Sequence, residues 1–121
     1  MARVGIWLSV LFLSVVWSTA ASAGSKRVAK RHYAEGVKQG RSREINEAID
    51  SFREALKQDP KMFKAALDLG LACSMSKRWP EAIAAYQLAV KTEPKSAKAR
   101  RGLGEALSEL TAFQEAIPHF E

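Results

Sequence analysis

The sequence predicts an all-α fold: antiparallel helical hairpins stacked as a short right-handed α-solenoid. Three observations lead there. Apolar residues recur at i, i+3, i+4 and i+7, the spacing of one helix face; Ala66, Leu69, Gly70 and Cys73 form one such set, and Ala82, Ile83, Tyr86, Ala89 and Val90 a second. The pattern also has a period of 34 residues: Gly36, Ala48, Phe52, Ala55 and Pro60 match Gly70, Ala82, Tyr86, Ala89 and Pro94, while Leu103, Gly104, Ala116 and Phe120 continue Leu69, Gly70, Ala82 and Tyr86. Finally, Pro60 and Pro94 each follow the second helix of a pair, where a proline ends it. A unit of this length cannot bury its apolar face alone, so the copies have to stack.

In chain order, residues 1–23 are expected to be a signal peptide. Arg3 opens an apolar run from Val4 to Trp17, and Ala21-Ser22-Ala23 offers small residues for cleavage after Ala23. The alternative is a membrane anchor through residues 4–25, which carry no formal charge and are long enough for about 30 Å of hydrocarbon. Lys26, Arg27, Lys30 and Arg31 follow at once, and positive charge of this kind tends to stay on the cytoplasmic side. Residues 24–121 form the repeat domain, in about three copies: a divergent one over 29–62, a central one over 63–96 and a truncated one over 97–121.

The first helix, over residues 25–39, is the poorest match. Glu35 takes the slot of Leu69 and Leu103, and Gln39 that of Cys73 and Leu107, so its register stays open. A turn over 40–43 leads to a second helix over 45–58. The central hairpin spans 61–76 and 80–91, with Pro80 at a helix start, where its missing N–H does least harm. Ser96 is placed to cap the next helix, which runs to about Leu110; a last helix begins at Phe113. That helix meets no terminating glycine and no polar capping helix. The expectation is that the chain is an N-terminal piece of a longer array, or that another molecule covers this end.

Leu69-Gly70 followed by Ala82, Tyr86, Ala89 and Pro94 resembles the tetratricopeptide repeat, and the resemblance extends over about residues 25–121. The residue types also make physical sense. Gly70 and Ala82 let two antiparallel helices approach closely, Tyr86 and Leu69 fill the space beside the crossing, and Ala89 leaves room for the next hairpin. The resemblance implies a scaffold that binds a protein or peptide in a concave groove walled by the first helix of each repeat. Carried over position by position, the groove residues are Lys64, Leu67, Asp68, Leu71 and Met75 from the central repeat and Lys98, Arg101, Glu105 and Glu109 from the third. The first repeat would add Lys30, Tyr33, Val37 and Arg41. Some relatives grip a terminal carboxylate there with Lys, Asn and Arg. Of the corresponding Tyr33, Val37, Asp68, Lys98 and Gly102, only Lys98 fits, so that clamp is not expected.

Composition sets the remaining limits. The 121-residue chain has a formal net charge of +6 and one cysteine, so no intramolecular disulfide can form. Cys73 reads as a small buried hydrophobe, with an intermolecular disulfide in an oxidising compartment as the alternative. Much of the positive excess lies in Lys26, Arg27, Lys30, Arg31, Lys38, Arg41 and Arg43, opposed only by Glu35 up to that point. An anionic envelope surface is therefore a second possible partner, and export makes nucleic acid unexpected. No catalytic constellation is visible. His32 and His119 stand 87 residues apart without a ligand cluster, and Gly102-Leu103-Gly104 lacks the strand and third glycine of a dinucleotide loop. The chain is not expected to be an enzyme or to carry a cofactor.

Overall fold

The computed structural model describes residues 23–116, so the expected signal peptide up to Ser22, as well as His119 and Phe120, lies outside the described residues. Five helices follow one another: α1 over 23–41, α2 Ile45–Gln58, α3 Phe63–Met75, α4 Trp79–Thr92 and α5 Ala97–Ala116. Among the described residues there is no strand, and no helix is long and apolar enough to cross a membrane. α1–α2 and α3–α4 are the two hairpins, and α5 packs on α4.

The period of 34 residues sets the packing. Phe52 lies against Gly36 within the first hairpin, and Tyr86 lies against Gly70 within the second; a Cβ built at either glycine would meet ring carbons at 2.7 Å. Only glycine lets the ring lie flat on the neighbouring helix. This fixes the register of α1, which is that of the later copies. Glu35 is exposed, whereas Leu69 is buried in the same slot, because α1 has no preceding described helix to cover it. Gln39 also departs from the apolar pattern. It accepts a hydrogen bond from Ser51 Oγ at 2.6 Å, replacing the apolar contact that Cys73 makes in the next repeat.

The core is mostly alanine: Ala48, Ala55, Ala82, Ala89 and Ala99 are fully buried, and Ile49 and Cys73 are the largest side chains sealed completely. Ala66, Ala89 and Ala99 form the contact through which α4 receives the neighbouring first helices, as the small residue at Ala89 suggests. Cys73 is buried and its thiol is pushed above its usual pKa, first by burial and then by the Glu81 charge. Burial removes the expected alternative of an intermolecular disulfide in this folded state.

Turn chemistry explains where the hairpins close. Arg43 (φ 64°) and Lys77 (φ 58°), one repeat apart, both occupy the left-handed region. The backbone N–H of Glu44 then reaches the carbonyl of Gln39 at 2.9 Å, and that of Arg78 reaches Cys73 at 2.8 Å, the six-to-one closure of a helix C-terminus. The inter-repeat turns match as well: Met62 N–H donates to Asp59 O, and Ser96 N–H to Glu93 O, both at 3.1 Å. Ser96 caps α5 as expected, its Oγ accepting from the Ala99 N–H at 3.2 Å.

The third copy departs from expectation. No turn separates Leu110 from Phe113; α5 continues unbroken to Ala116. The residue one period beyond Lys77 is Thr111, whose β-branched side chain disfavours the left-handed conformation that closes the first two hairpins. Its hydroxyl instead donates to Leu107 O at 2.9 Å, inside the helix. Two assigned packing positions change accordingly. Gly104 is exposed, with nothing among the described residues within 4 Å of an added Cβ, and Ala116 lies at the end of α5 rather than at a second crossing. The close-approach glycine of α5 is Gly102, where a Cβ would stand 2.5 Å from the Tyr86 ring.

Candidate partner-binding groove

Three helices, α1, α3 and α5, wall one side of the array. Two clefts open on that side and share Asp68 and Leu71. The first lies between α3 and α5 and is lined by Leu67, Asp68, Leu71, Lys98, Arg101 and Glu105, together with Tyr86 and Gly102. The structure therefore brings six of the nine groove residues assigned from the central and third repeats around one depression of about 90 Å³, while Glu109 is exposed and lines neither cleft. The second cleft, between α1 and α3, is larger and more apolar, about 230 Å³; Val37, Ile45, Leu71 and Met75 line it, with Arg41 at its edge. Lys64 is exposed and lines neither cleft.

The two leucines of α3 differ. Leu67 is partly buried and packs against both apolar clusters, so much of its side chain serves the fold. Leu71 is 48% exposed, and Met75 one turn further on is 63% exposed. These two project apolar surface into the groove with no described neighbour covering it.

Beside them, Tyr33 and Asp68 tie α1 to α3. The Tyr33 hydroxyl donates to Asp68 Oδ2 at 2.7 Å, and its ring lies 5.8 Å from that of Phe52 at 42°. Burial, then the Asp68 hydrogen bond and charge, push the Tyr33 hydroxyl up to about 12, so it stays protonated and donating over the physiological range. Asp68 accepts the Tyr33 hydrogen bond and keeps its charge, Glu105 lies 3.9 Å from Arg101, and Glu109 is exposed with no cationic partner within 4.0 Å among the described residues. Lys64, Lys98 and Arg41 have no carboxylate partner within 4.0 Å among the described residues. The groove is apolar at the α1–α3 end and carries net positive charge along its rims. Among the described residues no three His, Cys, Asp or Glu side chains gather to hold a metal ion.

The tetratricopeptide repeat profile matches residues 33–93 and again 78–121, most of the chain. The chain belongs to the tetratricopeptide repeat family. No curated protein matches it by sequence. Among solved structures it is similar to the crystal structure of MamA protein, at 24% identity and a TM-score of 0.68, over 79% of this chain and 52% of that one. It is likewise similar to the TPR domain of Arabidopsis OM64, at 20% identity and a TM-score of 0.69, over 76% of each chain. At these identities the likeness concerns the fold. The chain spans about half the length of that MamA structure.

Within the tetratricopeptide frame, the contributions that sequence reasoning missed are Ile45 and Ala72 in the apolar cleft and the Tyr33–Asp68 bond on the groove floor. A usable signal existed for the bond. A tyrosine and a carboxylate 35 residues apart stand on adjoining first helices when the period is 34.

Proposed function

We propose that this chain is a protein–protein interaction scaffold that holds a peptide or partner helix in the groove between α1, α3 and α5. The observation that carries the reading is the exposed apolar pair Leu71 and Met75 beside the 230 Å³ cleft, rimmed by cations without carboxylate partners. Such a wall favours a segment with one or two apolar anchors and acidic flanks. A pull-down with the wild-type chain, compared with Leu71→Glu and Met75→Glu, tests it. Binding of the captured protein should weaken by about 30-fold for either variant, since buried anchors commonly carry ~2 kcal/mol, while helicity by circular dichroism stays unchanged. Partners retained equally by both variants would remove the groove from the function.

Export belongs to the same proposal. It is supported by the apolar run to Trp17 and the Ala21-Ser22-Ala23 site. Intact mass of the protein from its native host should show a chain beginning at Gly24. Full-length chain in the membrane pellet would favour the anchor.

A further inference from the structure

α1 also carries a row of cations that overlaps the groove only in part: Arg41 stands at the edge of the apolar cleft and Lys30 at an assigned groove position, whereas Lys26, Arg27, Arg31 and Lys38 line neither groove cleft. At about 100° per residue, Lys26, Arg27, Lys30, Arg31, Lys38 and Arg41 all fall within about 140° of the helix circumference. All six are exposed, and among the described residues none pairs with a carboxylate within 4.0 Å. The only acidic residue on α1, Glu35, lies just outside the arc. The opposite side of the helix is committed to the fold through Ala29, Gly36 and the Ser25 hydroxyl, which donates to Gln58 O. The cations are therefore held in one row about 22 Å long on a helix anchored by its back.

We infer that this face docks the protein on a bilayer surface bearing anionic phospholipid headgroups. Charge complementarity is the first argument: like charges crowded without counter-charges repel, and an anionic plane relieves all six together. The composition of the arc is the second. Between the cations the arc exposes Ala23 and Ala34, with half-buried Val37 lining the apolar cleft; it holds no aromatic ring on which a nucleobase could stack and no Asn or Gln to read a base edge, which sets stacking and base-specific recognition of nucleic acid aside. The exposed positions of the arc hold no large apolar residue, which makes the contact peripheral, with headgroups touched and acyl chains not entered. The third is position. Lys26 follows the apolar run by nine residues, so the row lies at the membrane-proximal end of the domain if that run is retained, and is preserved on the domain if it is removed.

Vesicle co-sedimentation of the full chain tests this, with phosphatidylglycerol–phosphatidylcholine vesicles compared against phosphatidylcholine alone. Binding to the anionic vesicles should be at least about 100-fold stronger and should collapse between low and high salt. Replacing Arg27, Lys30, Arg31 and Lys38 by Gln should abolish that difference with circular dichroism unchanged. The same number of charges removed at Lys57, Lys61, Lys91 and Lys95 should leave most of it, and Lys30→Arg with Lys38→Arg should leave all of it. Equal binding to both vesicle types would overturn the inference, as would equal loss in the Lys57, Lys61, Lys91 and Lys95 variant, or tighter binding to duplex DNA than to anionic vesicles.

Discussion

The α3–α4 hairpin and α5 begin from nearly the same sequence pattern and end differently. Leu69, Gly70 and Cys73 recur as Leu103, Gly104 and Leu107. In α3 these residues are buried under α4 and its neighbours; in α5, Leu103 is partly buried against Tyr86's cluster, while Gly104 and Leu107 are exposed. The helix face is copied, but among the described residues the turn at the equivalent position is not. What separates the two is one residue in the left-handed region: Lys77 closes the first case, and Thr111 keeps the second helical. A repeat read from its apolar spacing alone is therefore incomplete. The residue that reverses the chain decides whether the face finds a cover.

The strongest way to test the contrast is to remove an aromatic ring from each region. Tyr86→Ala should cost about 3–5 kcal/mol, because the ring fills the space between Gly70 on α3 and Gly102 on α5. Phe113→Ala, at a site 59% exposed, should stay within about 0.5 kcal/mol. Urea melts of the two variants give both numbers, and equal losses would mean that α5 is covered in solution.

A smaller effect is expected at the glycines. Gly70→Leu overpacks the Tyr86 ring and should cost about 1–3 kcal/mol. Gly104→Leu meets open space among the described residues and should be neutral or stabilising by up to about 1 kcal/mol, through helix propensity alone. Thermal melts of this pair would show whether the third copy carries a crossing at Gly104 after all.

The subtlest probe exchanges turn chemistry. Lys77→Gly relieves the left-handed backbone and should stabilise by about 1 kcal/mol. Thr111→Gly should weaken the last turns of α5 by about the same amount. Hydrogen exchange reads this directly: amides from Phe113 to Ala116 should exchange faster in Thr111→Gly, with those from Ala82 to Val90 still protected.

The helical fold, the 34-residue register and the alanine crossings were legible in the sequence because each rests on side-chain size at a fixed spacing. Register in α1 was not, because Glu35 and Gln39 break the apolar pattern for local reasons: one faces a side without a described neighbour, and the other is satisfied by Ser51. The missing third turn was obscured by the recurrence of Ala116 and Phe120, which suggests a second helix whatever lies at position 111. Most of the groove was legible from first-helix positions. The division of labour between Leu67 and Leu71 was not, since both sit four residues apart on one face and only the packing of Ala66, Ala89 and Ala99 draws Leu67 inward.

The alanine core also bears on how this chain can change over time. From an alanine codon, single-base substitutions reach Gly, Ser, Thr, Val, Pro, Asp and Glu. At Ala48, Ala55, Ala82, Ala89 and Ala99, all fully buried, Val and Thr add volume to crossings with no room, Asp and Glu bring charge, and Pro removes an amide that the helix needs. Gly and Ser are the neighbours left open. The interior can drift only toward glycine or serine, so descendants of this sequence would diverge last along the alanine axis of the array.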